Sequence, residues 1–489
     1  MDAPYFDRAS ELSLPTELEK SVGLIKSLTG ETADLNIVDI NIGKARCALL
    51  SVEGMASSQL MAELIFQPLT ELAKDEDTDA GKLWEFLNTG SLMSSDRQVI
   101  SEIGKLIELL FSGFAAILVD GITEACVLGI QGFEKRAVSL PETEQTVGGA
   151  HDSFNEVLRV NMSLVRRRLK TPALRFELMQ AGRLSRTDIC LAYIEGRADT
   201  KILDNTKQKL QSIELDTIFS AGYVIPFVDD SCDLSIFSAA ITTERPDNAC
   251  ALLNEGRILI MIDGTPGCVV LPTLFCDNFR TMDDYCEKTF YTAFSRCIKY
   301  VSFILAIALP GLYSALVMFH PEVFPLKLLL NLAAAEEATP YPPVVEMTVL
   351  MVLFEIMREA GLRLPKAVGG AVSIVGGLII GDAAVKSGMI SQPLLIVVGI
   401  TATASFVLPS LYPAVSVLRL VFILAGGLGG LYGIAIASVL LTANINAVDQ
   451  YGISYTSPLS PLREHGTRDV FARLSFRELA GRRTSLSQH

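Results

Sequence analysis

Three long uncharged stretches, all after residue 299, constrain this sequence most. Residues 300–319, 387–418 and 420–448 contain no charged side chain, and residues 367–381 form a shorter glycine-rich stretch of the same kind. A helix of about twenty apolar residues crosses a bilayer core of about 30 Å. The stretches therefore predict an all-α, multi-span membrane bundle over residues 300–446. The expected spans are 300–319, 367–386, 393–412 and 417–443.

Residues 344–357 fit this pattern less well. The segment has fourteen residues and contains Glu346 and Glu355. Nine residues correspond to about two and a half helical turns, so the two carboxylates are expected on opposite sides of a helix. Glu355 can pair with Arg358 at i+3. The segment is either an interfacial or re-entrant helix, or a fifth span that carries a functional acid in the membrane.

The orientation follows from the basic residues. Residues 461–489 form a basic tail, and Arg296 and Lys299 precede the first expected span. Lysine and arginine favour the cytoplasmic side, and the N-terminus shows no apolar signal sequence. Both termini are therefore expected in the cytoplasm, which requires an even number of spans and favours four over five. The tail arginines are Arg463, Arg468, Arg473, Arg477, Arg482 and Arg483.

The part of the chain before residue 300 differs sharply in charge from the rest. The whole chain has 41 Lys+Arg against 55 Asp+Glu, a net charge of −14, and nearly all of the excess acid lies before residue 300. This acidity argues against a nucleic-acid partner, which needs a basic surface. All nine cysteines lie in this part without a C-x-x-C pair. They are expected to be reduced thiols in a cytosolic compartment, with no metal site.

Three segments of this acidic part share an apolar run followed by an acid and glycine. They are residues 48–54, 190–196 and 258–264. Each predicts a buried strand that ends in a turn. Helical patterns follow the first two segments, at 57–73 and 200–211, so the same succession occurs twice. A weak duplication is therefore expected, with two cytoplasmic α/β subdomains at 1–140 and 150–298, joined by the linker 139–150.

No catalytic motif is present. The sequence lacks the P-loop, the zinc-protease motif H-E-x-x-H and the nucleophile elbow G-x-S-x-G, and it has four histidines. Neither an enzyme nor a cofactor is expected. The basic run at residues 166–170 is interpreted as a solvated helix face or an anchor to acidic neighbours. The alternative is a site for a phosphate or an anionic lipid.

Glycines cluster at G-x-x-x-G spacing in the apolar part. Helices can approach closely where a Cβ is missing, either within one bundle or between subunits, and such a run can also act as a hinge. The expected helix-packing positions are Gly376, Gly377, Gly381, Gly426, Gly429, Gly430 and Gly433.

Six stretches resemble the A subunit of spore germinant receptors, the GerA family. They are NMSLVRRRLKTPAL (161–174), TERPDNACALLNEGRILIMIDGTP (243–266), FRTMDDY (279–285), LPGLYSALVMFHPE (309–322), REAGLRLPKAVGGAVSIVGGLIIGDAAV (358–385) and TATASFVLPS (401–410). The matches keep the order of the family and cover roughly positions 145–460, whereas the region before them matches only in outline. GGAHDSF (148–154) departs from the Arg-Gly-Pro segment usual in the family.

The resemblance implies a multi-pass protein of the spore inner membrane. Such an A subunit acts with a permease-like B subunit, which binds the nutrient, and a lipoprotein C subunit. It is expected to assemble into a ring of five that forms a nutrient-gated channel for monovalent cations and starts germination. The family also includes the SpoVAF class, associated with the dipicolinic-acid channel, and the sequence does not separate the two.

Polar residues within the apolar stretches are the candidates for lining a pore. Carboxylates at a pore mouth favour cations. Each candidate also has a structural alternative, because Ser and Thr often bond back to their own helix and Asn can cap one. A nutrient transporter and a non-conducting membrane platform are the competing functions, although transporters usually have more spans. The candidates are Glu346, Glu355, Thr401, Thr403, Ser405, Asn444 and Asn446.

Overall fold

The computed structural model describes residues 12–89, 96–132, 141, 144, 146, 148–229, 231, 235–364, 381–462 and 469–475. The described residues fall into two compact units. One unit, here called the repeat unit, contains the residues up to 229 together with 240–273. The other, here called the helical unit, contains residues 231–239 and 274–475. Each unit is described by itself.

The first half of the repeat unit begins with a helix and a β-hairpin. Its strands are β1 (Leu35–Ile42), β2 (Ala45–Val52), β3 (Arg97–Ile100), β4 (Phe114–Val119) and β5 (Ala125–Gly129). Its helices are α1 (Leu18–Thr29), α2 (Ser58–Met61), α3 (Gln67–Leu72), α4 (Ala80–Asn88) and α5 (Ile103–Leu110). A π-helical turn at Ala62–Phe66 joins α2 to α3, so the helical pattern expected at 57–73 is confirmed.

The second half repeats this order of elements. Its strands are β6 (Leu174–Ala181), β7 (Thr187–Ile194), β8 (Ile241–Thr243), β9 (Ile258–Ile262) and β10 (Cys268–Leu271). Its helices are α6 (Leu158–Arg168), α7 (Thr200–Gln211), α8 (Ala221–Val228) and α9 (Pro246–Asn254). The helix expected at 200–211 is confirmed with the same bounds. Asp199 caps it by accepting a hydrogen bond from the backbone of Lys201 at 2.8 Å.

The two sheets have the same topology. The strand order is β1-β2-β4-β5-β3 in the first and β6-β7-β9-β10-β8 in the second, and all the described pairs are antiparallel. Strands β2 and β7 begin at Ala45 and Thr187. Helices α2 and α7 begin at Ser58 and Thr200, with the same offset along the chain. The duplication expected from sequence thus corresponds to two equivalent folded repeats. The predicted α/β class left the strand direction open, and the structure shows that both sheets are antiparallel.

The strands before the acid-glycine turns are confirmed, and a fourth turn of this kind follows β4. Asp120-Gly121 occupies the place in the first repeat that Asp263-Gly264 occupies in the second. Gly121 has φ 85° and Gly264 has φ 81°, in the left-handed region that glycine adopts without strain. Sequence reasoning missed the Asp120 copy, although its residues AILVDG carry the same signal.

The two aspartates of these turns bind equivalent helix ends. Asp120 Oδ1 accepts from the backbone N–H of Leu18 at 3.0 Å, and Asp263 Oδ1 accepts from that of Leu158 at 3.0 Å. Leu18 and Leu158 are the first residues of α1 and α6, whose N–H groups have no partner inside the helix. The carboxylates also interact favourably with the positive end of each helix dipole.

Replacing either aspartate by alanine should weaken its own helix. We expect Asp120→Ala and Asp263→Ala each to lower the free energy of local opening by about 1–2 kcal/mol, the usual effect of losing a cap. Hydrogen exchange of the full-length protein would show faster exchange in the first turn of α1 or α6 respectively. Asp204→Ala, an exposed change on α7, is the control. Equal exchange in all three variants would contradict this role.

Arg166 joins the two repeats inside the repeat unit. Its side chain is fully buried, with Nε 2.7 Å from Asp34 Oδ2 and Nη2 3.0 Å from Asp34 Oδ1. Its guanidinium lies over the Phe111 ring of the first repeat, 4.5 Å from the centroid, and over the Phe176 ring of the second at 4.8 Å. A solvated face is therefore the wrong interpretation of the basic run at this position.

The neighbouring arginines of the run also have acidic partners. Arg167 and Arg168 both pair with Asp152. The run therefore acts as an anchor to acidic neighbours, which is one of its predicted roles. Sequence alone did not indicate that one of its members would be buried.

The described cysteines are all free thiols, as expected, and most of them are buried. Cys232 lies outside the described residues. Burial raises the pKa of the Cys47 and Cys126 thiols to about 11. Since the thiolate is the reactive form, these two groups are unreactive near neutral pH.

Within the described residues, the helical unit contains two helices long and apolar enough to cross a membrane, by length and composition. These are α11 (Thr289–Phe319) and the continuous segment Pro409–Ala447, most of which is α15 (Tyr412–Ala447). A short helix, α10 (Asp283–Cys286), precedes α11. Between α11 and α15 lie α12 (Leu326–Glu337), α13 (Pro343–Arg363) and α14 (Gln392–Phe406). The strands β11 (Asp449–Gln450) and β12 (Ile453–Ser454) follow α15.

Helix bounds differ from the expected spans in three places. Helix α11 begins well before position 300, at Thr289, and α13 is longer than the segment 344–357, with 21 residues. The span expected at 393–412 is wrong as a continuous helix. It ends at Phe406, because Pro409 restricts Leu408 to non-helical angles of φ −128° and ψ 67°. Most of the span expected at 367–386 lies outside the described residues.

Helix α15 is broken at Gly430. This residue has φ 59° and ψ −143°, which is not helical. Residues from both sides of the break, including Leu418 and Leu441, line one open apolar groove of about 580 Å³. A straight helix would hold these two residues about 35 Å apart. The two limbs, 412–429 and 431–447, therefore fold back on each other, and 417–443 is not one straight span.

Candidate functional site

Among the described residues of the helical unit, three groups of buried or partly buried charged side chains involve helices α11 to α15. We call them the base cluster (Asp284, Arg296, Lys299, Asp469), the arginine cluster (Glu355, Tyr412, Arg419, Ser405) and the carboxylate pair (Glu336, Glu346). Charged groups inside an apolar helical bundle are costly to bury, so they usually have a functional or structural role. They are the candidate functional site of this protein.

The arginine cluster depends on Pro310. Proline has no backbone N–H, so Pro310 leaves the carbonyl of Ala306, four residues earlier in α11, without its helical donor. Arg419 of α15 supplies the donor instead, with Nε 2.9 Å from the Ala306 oxygen. Its side chain is 1% exposed. The proline in one apolar helix thus creates a binding position for the charge on another.

The rest of the Arg419 guanidinium binds α13 and α14. Nη1 lies 3.3 Å from Glu355 Oε1, and Nη2 donates to the hydroxyl of Ser405. Tyr412 donates to both carboxylate oxygens of Glu355, at 2.9 and 2.8 Å. Arg358 lies over the Tyr412 ring, with 3.4 Å between the guanidinium carbon and the centroid. One residue therefore connects all four helices α11, α13, α14 and α15.

Glu355 also pairs with Arg358, as its i+3 spacing predicted. Arg358 Nε lies 3.5 Å from Glu355 Oε2. With Arg358 and Arg419 on one carboxylate, this cluster carries a net charge of +1. The Glu355 side chain is 27% exposed, so the cluster reaches the surface of the protomer on this side.

The carboxylate pair lies elsewhere and joins α12 to α13. Glu346 Oε2 accepts from the backbone N–H of Ser391 at 3.1 Å, and Glu336 Oε1 accepts from the Ser391 hydroxyl at 3.1 Å. Glu346 is 2% exposed. Glu346 and Glu355 thus belong to separate groups, which agrees with their nine-residue spacing.

The base cluster fixes the beginning of α11. Asp284 binds Arg296 Nε at 2.8 Å through Oδ2 and Lys299 Nζ at 3.2 Å through Oδ1. Asp469, from the segment after α15, binds Arg296 Nη1 at 2.8 Å and accepts from the Tyr285 hydroxyl at 2.7 Å. The two bases that suggested the orientation of the first span are therefore neutralised by two acids.

The polar pore candidates differ in their exposure. Thr401 and Ser405 are buried inside the protomer, and each hydroxyl donates to the carbonyl four residues earlier, at 2.8 and 2.7 Å. Thr403 is exposed and makes the same bond to Gly399 at 2.8 Å. These bonds to the backbone of the same helix are the structural alternative to pore lining that the sequence left open for Ser and Thr.

The two asparagines lie near the end of α15. Asn444 Oδ1 accepts from the backbone of Ile236 at 3.4 Å. Asn446 is exposed, and its Nδ2 donates to the Thr442 carbonyl at 2.8 Å. Of the polar candidates with hydroxyl or amide groups, Thr403 and Asn446 are therefore the most open to contact by a second molecule.

The described candidate glycines occupy different surroundings. A Cβ on Gly426 would overlap the backbone carbonyl of Gly311, so α11 and α15 touch there. A Cβ on Gly433 would overlap the Ala425 carbonyl across the break at Gly430. Gly429 has no atom within 4 Å of such a Cβ, and Gly381 has only ordinary contact with Leu395 at 3.4 Å. Gly376 and Gly377 lie outside the described residues.

Several residues of these clusters escaped sequence reasoning. Arg419 had a clear signal, because it is the single charge between the uncharged stretches 387–418 and 420–448. Glu336 and Ser391 had none, since they come from different segments and meet only in the tertiary structure. Pro310 had no signal for this role, because membrane helices tolerate proline without a charged partner.

The fold and its buried charges define a class: a protein with two antiparallel α/β repeats and helices apolar enough to cross a membrane. Residues 23–485 match the model of the Bacillus/Clostridium GerA spore germination protein family. The chain therefore belongs to the GerA family, and the resemblance seen in the six sequence stretches is confirmed.

Individual relatives extend over most of the chain. Spore germination protein KA of Bacillus subtilis (strain 168) is 35% identical over 464 residues, which cover 94% of this chain and 84% of that protein. Spore germination protein GerLA of Bacillus cereus is 32% identical over 474 residues, covering 95% and 94%. A crystal structure of the N-terminal domain of the A subunit of the Bacillus megaterium spore germinant receptor GerK3 is 28% identical. The match covers 54% of this chain and 98% of that chain, with a TM-score of 0.43.

Proposed function

We propose that this chain is the A subunit of a nutrient germinant receptor in the spore inner membrane. In this proposal it forms a homo-oligomeric, nutrient-gated channel for monovalent cations, a ring of five subunits. Its partners are a permease-like B subunit and a lipoprotein C subunit. Membership of the GerA family over residues 23–485 supports the receptor role.

The observation that carries the channel proposal is the arginine cluster. Arg419 and Glu355 are charged groups held between apolar helices, and Glu355 is partly exposed at the surface of the protomer. Charged side chains within membrane helices are rare and mark ion pathways in many proteins, and carboxylates line many cation channels. Glu355 and the exposed Thr403 and Asn446 are the pore-lining positions that this geometry favours among the candidates.

The arrangement in the membrane follows from the same proposal. The membrane domain spans residues 300–446, the soluble subdomains at 1–140 and 150–298 lie in the cytoplasm, and so does the basic tail 461–489. Two limbs of α15 that each span the bilayer, together with α11 and one further span, give four crossings and two cytoplasmic termini. Both limbs, 412–429 and 431–447, are close to the minimum length for crossing, which is about 17 residues.

The test is cation flux through the assembled receptor. Full-length protein with its B and C partners is reconstituted in liposomes loaded with potassium, and efflux is followed as candidate nutrients are added. We expect nutrient-dependent efflux from the wild type. Glu355→Gln should lower the efflux rate at least tenfold, because it removes the only acid of the arginine cluster. Glu359→Gln, one turn further along α13 and 54% exposed, should leave it unchanged.

Other outcomes would overturn the proposal. An inserted, oligomeric complex without efflux would indicate a non-conducting platform that clusters its partners. Accumulation of the nutrient without cation efflux would indicate a transporter. Equal loss of efflux in Glu355→Gln and Glu359→Gln would show that the arginine cluster is not part of the ion pathway.

A further inference from the structure

The carboxylate pair brings two acids together with no base beside them among the described residues of the helical unit. Glu336 is at the end of α12 and Glu346 is in the first turn of α13. Ser391, which precedes the first residue of α14, donates to one oxygen of each carboxylate. One serine thus brings two acids from different helices to the same place.

Each carboxylate has a second oxygen without a hydrogen-bond donor. Glu346 Oε1 and Glu336 Oε2 are both buried, and neither has a partner among the described residues. Glu346 as a whole is only 2% exposed. A buried oxygen of a charged carboxylate without a donor costs several kcal/mol, and either a proton or a bound cation compensates for it.

The described side chains do not supply that compensation. No Lys, Arg or His within residues 235–364, 381–462 or 469–475 forms an ion pair with either acid. The other titratable group facing the pair is Tyr313 of α11, whose hydroxyl lies 3.5 Å from Glu336 Oε1. Burial, and then the charge of Glu346, raises the pKa of Glu336. The raised pKa shows that the two charges repel each other at this place, and a bound cation relieves that repulsion when both carboxylates are ionised.

We infer that Glu336 and Glu346 bind one hard metal cation between α12, α13 and α14. The ligand atoms that the structure offers are the two free carboxylate oxygens, with the Ser391 and Tyr313 hydroxyls beside them. Sites composed only of oxygens select hard cations such as Na⁺, K⁺ or Ca²⁺ over softer transition metals. The bound cation ties the three helices together. This inference does not require that the protein conduct ions.

The test uses purified full-length protein in detergent, and the readout is its midpoint of thermal unfolding. Chloride salts of Na⁺, K⁺ and Ca²⁺ are compared with N-methylglucamine chloride at equal ionic strength and pH 7.5. A ligand at tenfold excess over its Kd stabilises the folded form. We expect at least one of the metal salts to raise the midpoint by roughly 2–4 °C relative to N-methylglucamine.

Three variants locate the effect. Glu346→Gln should abolish the cation dependence, and because it removes one of the two like charges, the midpoint in N-methylglucamine should be at or above that of the wild type. Glu336→Gln should reduce the dependence. Glu337→Gln, the exposed neighbour on α12, should keep it in full.

Two results would overturn the inference. One is a wild-type midpoint that is the same in all the salts. The other is a cation effect that persists in both Glu346→Gln and Glu336→Gln. In the first case, a wild-type midpoint that rises as pH falls from 8 to 5.5 would show that a proton occupies the pair instead of a cation. A receptor that fails to conduct could still pass this test, so the two proposals fail separately.

Discussion

Arg166→Met should destabilise the repeat unit by about 3–5 kcal/mol, the cost typical of removing one partner from a buried ion pair. The change leaves Asp34 as an uncompensated charge, with a side chain 2% exposed. It also removes the guanidinium that lies over Phe111 and Phe176 and so connects the two repeats. Hydrogen exchange of the full-length protein would show this loss as faster opening in both sheets.

Two comparisons make the Arg166 result specific. Arg167→Met, at a side chain that is 38% exposed, should change the opening free energy by less than about 1 kcal/mol. The double variant Arg166→Met with Asp34→Asn should recover part of the loss, because no unpaired charge remains. Similar exchange rates in Arg166→Met and Arg167→Met would contradict the central position of Arg166.

Gly426→Val should prevent α11 and α15 from packing, with a loss of stability above the roughly 1–3 kcal/mol usual for overpacking. A Cβ at Gly426 meets the backbone carbonyl of Gly311, which cannot move aside as a flexible side chain can. We expect the variant to be degraded or aggregated when expressed, with little folded protein in size-exclusion chromatography.

Gly429→Val is the matched change three residues further along α15. Nothing lies within 4 Å of a Cβ at this position, so the protomer should fold normally. If Gly429 faces a second subunit, this variant should lose the oligomer while keeping a folded monomer, since valine holds the helices apart. If Gly426→Val and Gly429→Val fold and assemble alike, the Gly311–Gly426 contact does not determine how α11 packs against α15.

Much of the repeat unit could be predicted because its signals are local. An apolar run before an acid and glycine indicates a buried strand that ends in a turn, since so short a run favours a strand over a helix and glycine adopts the positive φ. The helix Thr200–Gln211 was predictable for the same reason, from its amphipathic pattern after Asp199. Strand order and the burial of Arg166 were not, because both depend on contacts between segments far apart in the chain.

In the candidate site, too, local signals were readable in the sequence and contacts between distant segments were not. Glu346 and Glu355 were identified from sequence because an acid in an apolar segment stands out. Their partners were not, because Ser391, Tyr412 and Arg419 reach them only when the helices pack. The break at Gly430 was equally hidden, since glycine also occurs in straight membrane helices.

The sequence by itself determined that this protein has two acidic α/β repeats, a long apolar region and a place in the GerA family. These properties depend on composition, periodicity and ordered motifs, which are readable along the chain. Only the tertiary structure decided which charges are neutralised and which are not. Arg419 binds the Ala306 carbonyl, which Pro310 leaves without a helical donor. Glu336 and Glu346 meet at Ser391, and each keeps one oxygen without a described partner. The physical reason is that electrostatic compensation depends on distance in space, and the packing of the helices sets that distance.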